Sequence, residues 1–426
     1  MRSLRFAAVV AAAGLLLQSS ASANNAVLDW NEHVLNTTRL SRLPPPPISL
    51  FIATYHIAIF DAVNGITRTH QPWLVDEVAP AGADMDAAIA SAAHTVLLAC
   101  WGQSTNPRNH HRVYEETVAK IPDGPGKTAG IAWGKHVAEA VLAKRASCGF
   151  DKPIPGPYSS QDAGKWRETP PGFRPATLPH WAKVTPFAMT SPSQFRAPPP
   201  PALDSEQCAK ELAEIVKIGA RDNAERTEYQ TLSVAFWSDD LGTCTPPGHW
   251  NIIAADLARR YKLSVPETAR LFALLNIAEA DACISSWDTK FFYSTWRPET
   301  AIRELETARN AHWKPQPEFI PLMMSPSFPS YVSGHSTFSA AAARVLERFF
   351  GTDEIEFTTT SDGLPGAVRT FKRLSECRDE IGMSRLYGGF HVMADNVEGQ
   401  KCGIKVADWV MENSLQPRSG AMHASN

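Results

Sequence analysis

A chain of 426 residues, 44% hydrophobic and 20% charged, can bury a large core, which excludes a disordered or low-complexity protein. Its 41 basic against 44 acidic side chains leave a formal charge of −3, which gives no footing for nucleic acid or an anionic membrane. Seven cysteines (Cys100, Cys148, Cys208, Cys244, Cys283, Cys377 and Cys402) form no CxxC or Cys/His pattern with zinc spacing, and HExxH, P-loop and dinucleotide fingerprints are absent.

The first 23 residues carry Arg2 and Arg5, a short apolar run and Ala21-Ser22-Ala23. This is the pattern of a secretory signal peptide cleaved after Ala23, and it places the mature chain in a periplasm or outside the cell. In that setting the cysteines permit up to three disulfides with one thiol left over. Residues 24–48 are polar, end in Pro44 to Pro47, and read as an extended lead-in to an N-terminal helical half spanning 24–148. Alanine and leucine then recur at three- and four-residue spacing through SLFIATYHIAIFDAV, MDAAIASAAHTVLLACW and GKTAGIAWGKHVAEAVLAKRA, which predicts helices. His56, His94 and His136 fall on apolar faces and read as core groups, whereas His110-His111 beside Arg112 read as surface.

Residues 149–204 are rich in Pro, Gly, Trp and Ser, with a second four-proline run at Pro198 to Pro201, and read as a long ordered connector. Helical patterning returns from Ser205 and defines a second half, 205–415, followed by a flexible tail, 416–426. Ser205 and Ser264 stand where helix N-caps belong. With no strand–helix alternation and no fixed-period repeat, the expected fold class is all-α, two helical bundles packed together.

Three stretches of the second half carry chemistry. In WDTKFFYSTWRPETAI, Lys290 and Arg297 are seven residues apart, which on a continuous helix puts both on one face, with Pro298 marking a break. Set among Phe291, Phe292, Tyr293 and Trp296, these cations call for an anion to satisfy them. In SFPSYVSGHSTFSAAAARVL, Ser333 is placed to cap an alanine-rich helix, Gly334 offers an open amide and His335 sits in the first turn, which together make an anion site. In SRLYGGFHVMADN, Gly388-Gly389 separates Arg385 from His391, and Asp395 is four residues further on, able to take the second ring N–H of the histidine.

Lys-x6-Arg-Pro, Ser-Gly-His and Ser-Arg-x5-His-x3-Asp together closely resemble the three-part signature of the vanadium haloperoxidase and type 2 phosphatidic acid phosphatase superfamily. Lys290, Arg297, Pro298, Ser333, Gly334, His335, Ser384, Arg385, His391 and Asp395 all fit that signature, and Val332 stands where the family usually has proline. The resemblance spans roughly 205–415 by motif, more loosely the first half, and implies the paired-bundle fold of vanadium haloperoxidases.

It further implies an oxyanion cage. His391 would be the direct ligand to vanadium, or the nucleophile toward phosphorus. Lys290, Arg297, Ser333, Gly334 and Arg385 would hold the oxygens, and His335 would be the acid–base group. Trp287 and Phe328 match positions that chloride-oxidising members fill with Trp and Phe. Asp240 matches an acid that pairs with the second arginine, here Arg385, although Asp239 is an equal candidate on sequence. The expectation is a haloperoxidase that uses vanadate, hydrogen peroxide and halide, with an organic acceptor as an optional further substrate, and without membrane insertion. The alternatives are an exported acid phosphatase acting through a phosphohistidine without a metal, and a non-catalytic oxyanion-binding protein.

Overall fold

The computed structural model describes residues 25–418 apart from Asn223. The expected signal peptide therefore lies outside the described residues, as do residues 419–426 of the expected tail. Regular structure among the described residues is thirteen α-helices, a short 3-10 turn and one β-hairpin. The hairpin is β1 (Phe357–Thr360) against β2 (Val368–Phe371), with Phe357 opposite Phe371.

The expected extended lead-in is helical instead. Asn25 caps α1 (Ala26–Ser41), which buries Trp30, Val34 and Leu35, and α2 (Pro45–Thr67) starts inside the first proline run. Prolines suit a helix's first turn, because the amides they lack would have no acceptor there. α2 is long and apolar enough to cross a bilayer, but it is buried in the middle of the fold.

α3 (Met85–Trp101), α4 (Pro107–Val118) and α5 (Pro125–Arg145) complete the first bundle, with α3 packed on α5 and on α2. Two histidine expectations change here. His110 is buried between His33 and Thr105, whereas His136 is exposed and meets Glu77. The polar pattern of PRNHHRVYEETV concealed α4, which turns a narrow face inward.

The second bundle contains α8 (Thr245–Arg260), α9 (Val265–Tyr293), α11 (Gly334–Phe350), α12 (Leu374–Tyr387) and α13 (Met393–Asn413). α6 (Glu206–Gly219), capped by Ser205 as expected, and α10 (Pro298–Glu304) flank it, and α7 (Glu228–Phe236) packs on α12. Ser264 and Glu267 form a capping box at the start of α9. This helix is roughly 43 Å long. It is buried over almost its whole length, and it packs on α2 of the first bundle as well as on α11 and α13, so one continuous core joins the two bundles.

The connector is tied to α9 by two buried carboxylates. Asp281 accepts the amides of Phe187, Ala188 and Met189, and Asp288 takes a two-pronged bond from Arg196. Of the expected tail, residues 416–418 dock on the turn after α2, where Pro417 bridges His70. All seven cysteines are free thiols.

Candidate active site

The cage residues come from five helix ends: the last turns of α9 and α12 and the starts of α10, α11 and α13. α9 stops at Tyr293, where Ser294 takes a left-handed conformation and returns its amide to the Lys290 carbonyl. Lys290 is therefore in the last turn of α9, whereas Arg297 is the N-cap of α10 after an extended stretch. The expected common helical face does not exist. The two cations converge because the chain turns back on itself, with Lys290 Nζ and the Arg297 guanidinium both just under 5 Å from the Phe328 ring, at 4.9 and 4.8 Å.

Ser333 caps α11, its hydroxyl accepting the Ser336 amide, so Gly334 and His335 form the first turn. Amides at these positions have no intrahelical acceptor, and the helix dipole adds positive potential there. Trp287 lies along this turn, 3.8 Å from where a side chain on Gly334 would begin, and it stacks obliquely on Phe328 with ring centres 5.1 Å apart.

α12 delivers Arg385 in its last turn, and the chain reverses through Gly388-Gly389 before His391. Gly389 has φ +83°, and a side chain there would collide with the Gly219 carbonyl and Pro321, so only glycine fits the reversal. His391 precedes α13, and Asp395 lies in that helix's first turn. His391 Nδ1 donates to Asp395 Oδ2 over 2.7 Å. A carboxylate only accepts, so the ring proton sits on Nδ1 and the lone pair on Nε2 faces the cage.

What the polar groups do with their hydrogen bonds distinguishes this pocket. Arg297 Nε donates to the Phe328 carbonyl, and Nη1 donates to the Phe390 carbonyl and lies 3.3 Å from His391 Nε2. Its Nη2 is buried with no acceptor. Arg385 Nη1 donates to the Trp237 carbonyl, and its Nε is likewise buried and unpartnered. Unmade bonds from buried cations are costly, and they mark where an anion belongs.

Lys290 differs from the expectation that it needs an anion. Its ammonium donates to the carbonyls of Pro329, Ser330 and Val332 at 2.9, 2.9 and 2.5 Å, which uses all three protons. Contact with a bound oxygen requires it to exchange one carbonyl.

Burial and mutual repulsion act together on these groups. Burial pushes the Lys290 pKa well below the lysine range, and Arg297 pushes it further, while Asp395 and Cys283 oppose the shift. Arg297 is lowered to about 9 and Arg385 to about 10, in both cases mainly by burial. His391 and His335 are both held well below the usual histidine range, by burial first and by the neighbouring arginines next, so both are neutral at pH 7. An oxyanion entering the cage would relieve every one of these shifts.

His335 is partly exposed at the pocket, with Nε2 3.3 Å from the Ser238 carbonyl. The segment after α7 thus holds two residues of the site through its backbone, Arg385 at Trp237 and His335 at Ser238. The expected partnership of Arg385 with Asp240 is not a contact ion pair, since neither Asp240 nor Asp239 lies within 4 Å of it among the described residues. Asp240 stabilises Arg385 only through space, and Asp239 is engaged with His249, which is buried against Thr359. Sequence reasoning missed Ser330, Trp237 and Ser238. The last two act through carbonyls, which no residue type reveals.

The fold is of the paired helical-bundle class, and its histidine-centred cluster of buried cations is an arrangement that can hold an oxyanion. Residues 270–420 match a family model described as the VCPO second helical-bundle domain. The chain is 26% identical over 401 residues to the vanadium chloroperoxidase of Curvularia inaequalis, covering 76% of this chain and 66% of that protein. Among solved structures, it superposes with TM-score 0.78 and 26% identity on one described as the first bacterial vanadium-dependent iodoperoxidase, over 93% of this chain and 98% of that one. It also shares its fold with a bacterial vanadium-dependent chloroperoxidase at TM-score 0.66 and 16% identity, over 87% and 94% of the two chains. In fold over most of its length, and in sequence over residues 270–420, the chain is similar to the vanadium haloperoxidases.

Proposed function

We propose that this protein is a vanadium-dependent haloperoxidase, oxidising halide with hydrogen peroxide to a hypohalous acid equivalent. The observation that carries the reading is the pair of buried, unpartnered donors, Arg297 Nη2 and Arg385 Nε, beside the Nε2 lone pair of His391, which accepts only a 3.3 Å contact from Arg297 Nη1. That donor set suits vanadate, an oxyanion whose metal accepts one imidazole nitrogen. When bound, vanadate supplies a Lewis-acidic centre that activates peroxide without changing oxidation state.

The chain's own groups supply the rest. His391 Nε2 would be the direct ligand, and Asp395 holds its ring in the required tautomer. Arg297, Arg385, the first amides of α11 and the Ser333 cap neutralise oxygens. His335, neutral and partly exposed, would serve as the acid–base group, able to accept a proton from peroxide and give it up again. Lys290, after releasing one of its carbonyls, would donate to a bound oxygen and draw electron density from it. Trp287 and Phe328 form an apolar wall that sheds water from the incoming halide. The 26% identity with an iodoperoxidase and with a chloroperoxidase supports the peroxidase reading and leaves the choice of halide to assay. We infer in addition that the chain is exported, on the strength of the signal-like first 23 residues.

The test is bromination of a phenolic dye by mature protein stripped of phosphate and metal, with and without orthovanadate, beside hydrolysis of p-nitrophenyl phosphate. Bromination that appears only with vanadate is the expected result, with iodide and chloride assayed in parallel. Phosphate-ester hydrolysis that vanadate inhibits, with no halide oxidation, would overturn it in favour of a phosphatase.

A further inference from the structure

Ser330 belongs to none of the motif positions, yet it touches both sides of the cage. Its side chain is buried, its hydroxyl donates to Asp395 Oδ2, and the same oxygen lies 3.3 Å from His391 Nδ1. Its carbonyl accepts from Lys290 Nζ, and its amide is anchored on the Thr295 carbonyl just before Arg297. One residue thus joins the carboxylate that orients His391 to the cation at the end of α9.

Asp395 needs that hold. Its three protein donors, His391, Ser330 and the more distant Val392 amide, all converge on Oδ2, and among the described residues none reaches Oδ1. A small, mostly apolar cleft of about 50 Å³, bounded by Pro200, Leu203, Leu212, Trp296 and Val392, extends to Ser330 and Asp395 but not to Lys290, Arg297, Arg385 or His335. On that side the carboxylate is not wedged by solid packing, so its orientation depends on hydrogen bonds.

We propose that Ser330 is a positioning residue, which fixes Asp395 and through it the tautomer and ring plane of His391, and ties that geometry to Lys290. The inference rests on the oxyanion reading of the site, and two readouts keep the two apart. In the apo protein, side-chain ¹⁵N shifts of His391 are expected to show a single Nδ1–H tautomer. Ser330→Ala should populate the other tautomer, and Ser330→Thr should restore the wild-type signal because it keeps the hydroxyl. In calorimetric titration with orthovanadate, without turnover, Ser330→Ala should bind about tenfold more weakly. In an Asp395→Ala background the same substitution should cost nothing further.

An unchanged His391 tautomer in Ser330→Ala, whether or not vanadate binds, overturns the proposal. So does an equal loss of affinity in both backgrounds, which would mark a general structural role. Absence of vanadate binding in the wild type would instead sink the cage reading, while the tautomer measurement still decides the role of Ser330.

Discussion

In the first bundle the fully buried Asp61 accepts the amides of Trp73, Leu74 and Val75, and the histidines of α1, α3 and α4 bond to one another or to threonine. In the second, Arg297 and Arg385 are just as buried, and each keeps a donor with nothing to bond. The first bundle also leaves single donors unpartnered, such as Trp101 Nε1 and Arg145 Nε, but at Arg297 and Arg385 two unsatisfied cations gather beside one histidine. Satisfied polar groups stabilise a fold, whereas unsatisfied cations gathered at one point make a site that only a ligand completes. Asp281 on α9 belongs with Asp61 in this respect, although it shares a helix with Lys290.

The contrast breaks most visibly at His391. His391→Ala removes the proposed direct ligand, and halide oxidation should fall by at least about a thousandfold, while the melting temperature of the apo protein stays near wild type. Residual activity close to wild type would end the assignment. Arg297→Gln should weaken orthovanadate or phosphate binding by about tenfold or more. The apo fold should lose little stability, because the substitution also removes a charge that repels Lys290 and Arg385. Asp61→Ala is the opposite case. It strands three amides and should cost roughly 3 kcal/mol in chemical denaturation, without a change in oxyanion affinity in the protein that remains folded. If Arg297→Gln destabilised the apo protein as much as Asp61→Ala, the distinction between the regions would fail.

The histidine cluster sharpens the comparison through pH. His33 and His94 are held at about 4, chiefly by burial and next by neighbouring histidines, against 6.5 for the free side chain. Between those values the unfolded chain binds more protons, so this contribution is full above 6.5 and is lost as pH falls toward 4. Asp61 and Asp281 act oppositely, since burial raises each to about 6 and the fold then binds protons the unfolded chain does not. The measurement is therefore a difference. Melting temperatures of wild type and a His33→Gln/His94→Gln variant at pH 7.5 and 4.5 should show a smaller acid loss in the variant. An identical acid loss would mean the cluster does not sense pH.

The smallest effect is expected at Asp240. Because it acts on Arg385 through space rather than by contact, Asp240→Asn should change the Km for peroxide by less than about threefold. A loss comparable to that of Arg297→Gln would show that the two groups meet in the working enzyme.

The helix inventory was legible where apolar spacing was strong, as in α3, α5, α9 and α11, and where Ser205, Ser264 and Ser333 announced their caps. It was hidden in α1, where the proline run that begins α2 looked like an extended stretch, and in α4, whose polar surface masked a narrow buried face. The cage residues could be named from three short motifs because cations, Ser-Gly-His and His-x3-Asp have chemistries that bear directly on an anion. Their meeting could not be derived that way. Lys290 and Arg297 converge through a left-handed turn at Ser294 rather than along one helix, and the carbonyls of Trp237, Ser238 and Pro329 that hold the cage belong to every residue type alike. Sequence by itself determined which side chains were available and which segments would coil. Only the tertiary structure decided which buried donors would go without partners, because hydrogen-bond satisfaction depends on what distant segments place within 3 Å.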